Sequence, residues 1–326
     1  MFKLIAKNHI AFKLLKRNML PFTLEQLRIL RAVATEKNLT KAAELLYISQ
    51  PSLSKQIRIL EKNLDISLIT KNYNKISITK NGKIFLEYSE RILALCEESC
   101  RALINLKNGE RGELTIGASP AIGVYFLPRI LALFAKNYPQ IHLNIQINST
   151  KIIAKRILTQ QIDVAIIDEE ISNKVKKKLN LKNLVEDEFS LIIPKHHPFA
   201  QRERITKREL YYLNFITLDS NLTICKFINN VLTKNQINTN QLKIIMQLNS
   251  IEGIKTAVSL GLGVAFISSS MIRREIELKT IDILKIENIK IARIVTIISK
   301  PESYKSKAFE FFYTELLRLK QNIDDS

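Results

Sequence analysis

Glycine, proline and tryptophan are scarce in this sequence. It has eight Gly, eight Pro and no Trp in 326 residues, whereas Lys, Asn and Ile are abundant. Average usage of Gly is about 7%, so glycine occurs at about a third of that frequency. Gly, Pro and Trp need GC-rich codons, and the abundant residues use AT-rich ones. The composition therefore indicates an AT-rich genome, such as that of an organelle or a reduced bacterium.

Cysteine and long apolar runs are also scarce. The three cysteines are odd in number and give no disulfide framework, which favours a reducing compartment. Cys96 and Cys100 lie one helical turn apart without a nearby His, so we expect no metal site. No stretch of 18 or more apolar residues occurs, and we expect no membrane span.

The signatures of common enzymes are absent. The sequence has no P-loop, GxGxxG, nucleophile elbow or zinc signature. We therefore expect a protein that is not an enzyme and that carries no cofactor.

Basic residues outnumber acidic ones. There are 50 Lys and Arg against 31 Asp and Glu, which gives a net charge of +19. No acidic residue lies between Asp65 and Glu87, where four lysines occur. This charge favours a polyanionic partner such as nucleic acid. The alternative is a solvated basic surface without a partner, because the second half of the chain is basic too.

The first 18 residues carry five Lys or Arg and no acidic residue. They are similar to a targeting segment but lack the small-residue cleavage site of a secretory signal. The simpler interpretation is that translation begins at Met19, because the pattern of a folded domain starts directly after it.

The next segment shows the pattern of a helix-turn-helix. Thr23 and Gln26 have capping-box spacing, and Thr40 is placed to cap a second helix. Pro51 opens a third helix, at a position where its missing N–H is not needed. The apolar residues of 53–64 share one face of that helix, and the opposite face is polar and basic. This pattern favours DNA binding over the alternative, a generic helical hairpin.

Two further elements extend this unit. Residues 72–79 alternate in polarity and predict a wing hairpin, in which Lys71 and Lys75 are available to phosphates. From Lys80 to Lys107, apolar residues recur at spacings of three and four, the pattern of a helix that packs against a partner helix. We expect this helix to dimerise the protein. The alternative is a seam against its own chain.

From Gly112 onward, predicted strands alternate with helices. Such alternation implies mainly parallel sheets with crossover helices. Two sets of about equal size suggest two lobes with a cleft between them. The fold class is therefore α/β, and the two-lobed domain is similar to periplasmic binding proteins.

Several segments resemble the LysR-type transcriptional regulators. They are LTKAAELLYISQPSLSKQIRILE (39–61), ITKNG (78–82), GELTIGAS (112–119), FLPRILALFAKNYP (126–139), DVAII (163–167) and GLGVAFI (261–267). The resemblance implies binding to double-stranded DNA, a small-molecule effector and a homodimer or homotetramer, with RNA polymerase as a further partner. The family usually has Gly after the recognition helix and Arg in the wing, where this sequence has Asp65 and Lys71.

Within the family, FITLDSNLTICKFI (215–228) resembles the regulators of the RuBisCO operon in algal plastids and cyanobacteria. This resemblance implies a location in the plastid (chloroplast) stroma, or otherwise in a bacterial cytoplasm. It also implies a Calvin-cycle metabolite or NADPH as effector.

The predicted DNA-binding residues lie on the outer side of the third helix, at the start of the second helix and in the wing, because a helix in the major groove reads base edges. They are Thr40, Gln50, Pro51, Ser52, Ser54, Lys55, Arg58, Lys71 and Lys75.

The predicted effector-binding residues follow strands or precede helices, where α/β sheets bind ligands. They are Ser119, Asn148, Ser149, Thr150, Thr217, Thr223, Asn249 and Ser250. Hydroxyls and backbone N–H groups there suit an anionic metabolite. The alternative is that these residues only cap helices and close turns.

The predicted domains are a basic extension (1–18), a winged helix-turn-helix (19–79), a linker helix (80–109) and an effector-binding domain (112–326), in which lobe I comprises 112–167 and 268–326 and lobe II comprises 168–267. One rival interpretation is the solute-binding protein of a transporter. The two lobes fit that class, but the helix-turn-helix and the absence of a secretory signal oppose it. The other is a LysR-type regulator of another metabolic operon.

Overall fold

The computed structural model describes residues 20–72, 75–108, 112–301 and 305–324. The basic extension 1–18 therefore lies outside the described residues. Apart from Thr159–Gln161, which group with the first unit, the chain divides after Lys107 into two compact units. None of the described helices is long and apolar enough to cross a membrane.

The first unit is helical with a small hairpin. Its elements are α1 (Leu24–Glu36), α2 (Leu39–Leu45), α3 (Gln50–Leu64), β1 (Ile69–Asn72), β2 (Lys75–Ile78) and α4 (Lys80–Asn108). The two strands pair antiparallel, which confirms the wing hairpin. The predicted capping box of α1 is also confirmed, because Thr23 and Gln26 bond each other's backbone N–H at 3.0 and 3.2 Å.

The core of the first unit comes from the inner faces of the three short helices. Leu53, Ile57 and Leu60 of α3 are buried against α1 and α2. Ala42 and Ala43 of α2 are buried as well, and their small side chains allow the helices to cross closely. The predicted apolar face of the third helix is therefore the core face, and the polar face remains for solvent or DNA.

The second unit is a mixed α/β structure. Its strands are β3 (Gly112–Ala118), β4 (Ile141–Ile147), β5 (Val164–Ile167), β6 (Asn180–Pro194), β7 (Arg204–Ile205), β8 (Asn214–Leu218), β9 (Lys243–Leu248), β10 (Ala265–Ser268), β11 (Ile281–Ile286) and β12 (Ile291–Ser299). Its helices are α5 (Leu127–Asn137), α6 (Thr150–Leu158), α7 (Asn173–Lys176), α8 (Thr223–Lys234), α9 (Ile251–Ser259), α10 (Arg273–Glu277) and α11 (Lys307–Asp324). A π-helical turn, Ile122–Phe126, leads into α5.

Two long strands run through both lobes. β6 pairs antiparallel with β12, with a register shift between Val295 and Thr296. Before the shift, residues 291–295 of β12 pair with residues 185–189 of β6, next to the segment 189–194 that pairs with β10 and β11. After it, β12 pairs with β5 of the first lobe. The strand order β4-β3-β5-β12-β6-β11-β7 therefore joins the lobes through β6 and β12.

The lobe boundaries differ from those predicted. Residues 171–184 contribute Ile171, Leu179 and Leu184 to the cores around β3, β4 and β5. Residues 271–286 contribute Met271 and Leu284 to the cores around β8 and β10. The crossings therefore lie within β6 and β12, and the segment 268–290 belongs to lobe II. The alternating pattern alone does not reveal where one strand passes from lobe to lobe.

The sheets are also less parallel than predicted. β3 pairs parallel with β4 and β5, and β8 pairs parallel with β9. However, β10, β11 and β12 all run antiparallel to β6. β12 runs antiparallel to β6 because the chain returns from lobe II to lobe I along the strand by which it left, whereas β10 and β11 pair with the lobe II end of β6.

Candidate DNA-binding and effector sites

The outer face of α3 carries most of the predicted DNA-binding residues. Pro51, Ser52, Lys55 and Arg58 are exposed, whereas Gln50 and Ser54 are half-buried. Gln50 donates a hydrogen bond to Ser54 Oγ at 3.0 Å, which orders part of this face. The N-cap is Ser49, and Pro lies in the first turn of the helix as predicted. This face therefore presents polar and basic groups of the types that can contact base edges, and their role as DNA contacts stays a prediction.

The prediction for Thr40 is wrong in one respect. The N-cap of α2 is Asn38, whose Oδ1 accepts the N–H groups of Thr40 and Lys41 at 2.8 and 3.1 Å. Thr40 is exposed in the first turn, so its side chain remains available to a phosphate. Asn is at least as good an N-cap as Thr, and Asn38 stands directly before Leu39, the first residue of the helix.

Tyr47 was not among the predicted residues. It lies in the turn before α3, is 97% exposed and has a φ of 55°. Its backbone N–H donates to Glu44 O at 3.1 Å and closes the turn. An exposed aromatic in a turn has no periodicity, which is why pattern analysis missed it.

Hydrogen bonds from Glu61 and Thr79 fix the wing. Glu61 Oε1 accepts the N–H groups of Leu68 and Ile69 at 2.7 and 3.1 Å. Thr79 Oγ1 donates to Ser67 O at 2.8 Å and accepts Gly82 N–H at 2.9 Å. The ITKNG segment therefore ties the start of α4 to the base of the wing. The side chains of Lys71 and Lys75 lie outside the described residues, and their phosphate contacts stay a prediction.

One face of α4 is buried and the opposite face exposes apolar side chains. Ser89 and Leu93 are buried, and Phe85 packs against the helix-turn-helix core. Tyr88 and Leu95, both members of the predicted seam, are 56% and 61% exposed. The seam is thus divided: Phe85 is internal, Ile92 is half-buried, and Tyr88, Leu95 and Ser99 are exposed. The side chains of Ala102 and Leu106 lie outside the described residues.

In lobe I, Ser119 and Asn148 follow neighbouring parallel strands. Asn148 N–H donates to Ala118 O at 3.1 Å, which joins the carboxyl ends of β3 and β4. Ser119 is buried, and its hydroxyl donates to Asp168 Oδ1 at 2.6 Å. The structure therefore brings these predicted residues to one edge of the sheet.

Thr150 begins α6 at the same edge. It is 4% exposed, and no described residue forms a hydrogen bond with its Oγ1. Ser149 is exposed, and its carbonyl accepts the N–H groups of Ile152 and Ile153 at 2.9 and 3.0 Å. A buried hydroxyl without a partner is costly, so this position is suited to a ligand atom.

An ionic network that the sequence did not reveal lies beside Ser119. Arg293 of β12 places Nη2 2.6 Å from Asp168 Oδ2 and Nε 3.4 Å from Asp187 Oδ2. Ser268 bonds the other oxygen of Asp187. The three charged side chains are each at least nine-tenths buried, and together they carry one net negative charge. They connect the crossing strands β6 and β12 with the ends of β5 and β10.

In lobe II, the predicted residues take different roles. Thr217 lines a pocket next to α8. Thr223 is exposed and does not cap α8, because the N-cap is Leu222 and makes no side-chain bond. Ser250 caps α9 by accepting Gly253 N–H at 3.2 Å, and Asn249 beside it is exposed. For Ser250 the capping role that we left open is therefore observed.

A contact between the lobes involves Tyr125 and α9. The ring of Tyr125 lies 5.3 Å from Lys255 Nζ. Burial, together with a hydrogen bond to Glu252, raises the pKa of Tyr125 above its usual value. Lys255 is itself buried, and its ammonium group pairs with Glu252 and Glu275 at 2.8 and 2.9 Å. This cluster holds the start of lobe I's α5 region against lobe II.

The described residues contain no group of three or more potential metal ligands of the His, Cys, Asp and Glu types. Cys96, Cys100 and Cys225 are free thiols.

Comparisons with known proteins cover almost the whole chain. Residues 24–83 match the family described as "Bacterial regulatory helix-turn-helix protein, lysR family", and residues 107–321 match the "LysR substrate binding domain". A "Probable RuBisCO transcriptional regulator" of Phaeodactylum tricornutum is 70% identical over 94% of this chain and 100% of its own length. A protein of the same name from Porphyra purpurea is 47% identical over 92% of this chain and 95% of its own.

Solved structures share the fold. A variant of full-length OxyR from Pseudomonas aeruginosa has a TM-score of 0.68 at 22% identity, covering 90% of this chain and 94% of that one. CbnR in complex with its target DNA has a TM-score of 0.64 at 18% identity, covering 91% and 99%. The family matches, together with the helix-turn-helix and the two-lobed domain, show that this chain is a LysR-type transcriptional regulator.

Proposed function

We propose that this regulator controls expression of the RuBisCO operon in a plastid, and that its role is regulatory and not catalytic. The observation that carries the proposal is the 70% identity to the Phaeodactylum tricornutum relative over that protein's whole length. The AT-rich composition and the similarity to further algal relatives of the same name support it.

The proposed mode of DNA binding follows from the first unit. The exposed residues Lys55 and Arg58 of α3 enter the major groove, and the wing contacts phosphates. The exposed stripe of α4 that includes Ile84, Tyr88 and Leu95 pairs with the same stripe of a second copy. A homodimer, or a homotetramer built from two of them, then places two recognition helices on two half-sites, and RNA polymerase is the partner on which the complex acts.

The proposed effector site is the lobe I edge around Ser119 and Thr150. Thr150 contributes a hydroxyl that forms no hydrogen bond with any described residue, and it lies at the N-terminus of the nine-residue helix α6, where the helix dipole is positive. Arg293 offsets the charge of Asp168 next to Ser119. The Thr150 hydroxyl and the N-terminus of α6 favour an anionic metabolite, and the network beside Ser119, in which Arg293 faces two carboxylates, adds no positive charge to them. A Calvin-cycle intermediate or NADPH is the proposed class. Asn148, Ser149, Thr217, Thr223, Asn249 and Ser250 complete the proposed site.

The proposed response is a shift between inter-lobe arrangements. A ligand that touches both lobes can shift this equilibrium only by its difference in affinity for the two states. β6 and β12 connect the lobes, and the Arg293 network lies on these strands, so a change there alters the inter-lobe angle.

Sequencing of DNA fragments that co-purify with the protein from its organism tests the operon assignment. We expect enrichment of the region upstream of the RuBisCO genes. Enrichment of other operons alone would refute the operon assignment and leave the family membership intact.

Calorimetric titration of the full-length protein tests the effector site. Calvin-cycle phosphates and NADPH should bind the wild type, and Ser119→Ala and Thr150→Ala should each weaken binding about tenfold, the effect of losing one hydrogen bond to a charged ligand. A metabolite that changes DNA binding but binds both variants as tightly as the wild type would place the site elsewhere.

A further inference from the structure

Lobe II contains a cavity that only one of the predicted effector residues, Thr217, lines. Its volume is about 370 Å³, and it lies between α8, β8 and the segment 239–247. We call it the lobe II pocket. A single water accounts for about 30 Å³, so the cavity is an order of magnitude larger than a packing defect. Pockets that bind small organic molecules begin at about 300 Å³.

The walls of the lobe II pocket are mainly apolar and come from well-packed elements. Ile224, Ile228 and Leu232 recur at spacings of four along α8 and form one wall. Phe215 and Phe266 are stacked with centroids 5.7 Å apart and form another. Phe215 and Leu232 are buried in the lobe II core, so the pocket has a rigid base.

The polar groups that line the pocket are all neutral. They include the side chains of Thr217, Asn229, Asn240 and Gln247, and none of the lining residues that the structure describes carries a charge. In a chain with a net charge of +19, a pocket without Lys or Arg is poorly suited to an anion. Amide and hydroxyl groups at an apolar cavity suit a neutral molecule with few hydrogen-bonding groups.

The backbone is irregular at this position. The parallel ladder between β8 and β9 shifts register between Phe215 and Ile216, both of which line the pocket. Bulges of this kind are frequent beside functional sites, where they change the direction of side chains. The register shift is thus independent of the cavity volume, and it also indicates a functional site in this part of lobe II.

We propose that the lobe II pocket is a second ligand site, distinct from the site at Ser119 and Thr150, and that it binds a neutral, mainly apolar small molecule. The ligand's apolar part lies between α8 and the phenylalanines, and its polar group meets Asn229, Asn240 or Gln247. Because α8 and β8 form the walls, occupancy stabilises lobe II in the conformation seen here.

A fluorescence titration of the full-length protein with N-phenyl-1-naphthylamine, a neutral apolar probe, tests this site. The wild type should show saturable enhancement. Cys225 lines the pocket as a small side chain, and Cys225→Trp fills the space, so the affinity should fall at least about tenfold. Cys225→Ala is the matched control and should bind the probe like the wild type, as should Ser119→Ala.

A second measurement keeps the test decisive if Cys225→Trp does not fold. In a variant with Cys96→Ser and Cys100→Ser, Cys225 is the remaining thiol. Saturating probe should slow its alkylation by N-ethylmaleimide about tenfold, the change expected for a mostly occupied site. The proposal is overturned if the probe shows no saturable binding, if it leaves the alkylation rate unchanged, or if Ser119→Ala lowers binding as much as Cys225→Trp does.

Discussion

The guanidinium of Arg293 lies 2.6 Å from the carboxylate of Asp168, and both side chains are more than nine-tenths buried. Asp168 follows β5 in lobe I, whereas Arg293 belongs to β12, one of the strands that cross between the lobes. Arg293 also lies within 3.4 Å of Asp187 on β6, the other crossing strand. One cation thus neutralises part of the charge of two buried carboxylates where the lobes join.

Arg293→Ala should destabilise the effector-binding domain strongly. Removing one partner of a buried ion pair leaves an uncompensated charge and costs about 3–5 kcal/mol. Urea unfolding of the full-length protein at neutral pH measures the loss. Arg202→Ala is the matched control, because Arg202 pairs with Glu209 at the surface at 2.7 Å and such pairs contribute about 0–1 kcal/mol. Equal effects of the two substitutions would contradict the role of the buried network.

Gly82→Ala should destabilise the DNA-binding unit. A Cβ at Gly82 would lie 2.0 Å from the carbonyl oxygen of Leu68, which is backbone and cannot move aside cheaply. Overpacking of this kind costs about 1–3 kcal/mol or more. The control is Gly253→Ala, where the nearest atom would be 3.4 Å away. Thermal unfolding measures the loss of stability in each variant. Equal losses for Gly82→Ala and Gly253→Ala would mean that the wing and α4 are not packed as described.

Asp65→Gly should stabilise the protein. Asp65 ends α3 in the left-handed conformation with a φ of 54°, which costs a residue with a Cβ about 1–2 kcal/mol. Its negative charge at a helix C-terminus is unfavourable as well. Glycine also raises the conformational entropy of the unfolded chain, which offsets part of this gain. We therefore expect the free energy of unfolding to rise by about 1 kcal/mol. Asp65→Ala, which retains a Cβ, should give a much smaller gain, and an equal gain would show that backbone strain is not the cause.

Leu95→Asp should weaken self-association. Ile84, Tyr88 and Leu95 are exposed on one side of α4, opposite the face that packs on its own unit. A charge buried there without a partner would cost several kcal/mol. Sedimentation at several concentrations should show a shift toward monomer. Cys100→Asp, an exposed position on the opposite side of the same helix, is the control and should leave the wild-type assembly unchanged. If Leu95→Asp associates as tightly as the wild type, the dimer contact lies elsewhere.

The local signals of the sequence predicted the DNA-binding unit well. Capping residues, apolar spacing and Pro51 act over a few residues, so α1, α3 and the wing could be placed without the structure. The exception at Asn38 arose because two polar residues that flank Leu39, Asn38 and Thr40, were both suited to the N-cap position. Tyr47 was missed because exposure in a turn leaves no periodic pattern.

The effector-binding domain was predictable only in outline. The sequence pattern did not predict β11, β12 and α11, because the return of the chain to lobe I depends on contacts with residues about a hundred positions earlier. The Arg293 network could not be predicted either, because Asp168, Asp187 and Arg293 are far apart in the sequence. The positions of Ser119 and Thr150 at strand and helix ends were predictable, because that rule is topological.

The proposal that this regulator controls the RuBisCO operon is tested most directly by a quantitative gel shift with DNA from upstream of the RuBisCO genes. We expect the protein to bind this DNA much more tightly than unrelated DNA of equal length and base composition. Arg58→Ala should lose about 1–3 kcal/mol of that preference if Arg58 reads a base, while Lys62→Ala, at an exposed residue in the last turn of α3, should keep it. Equal affinity of the wild type for both DNAs, or an unchanged preference in Arg58→Ala and Lys55→Ala, would contradict the account.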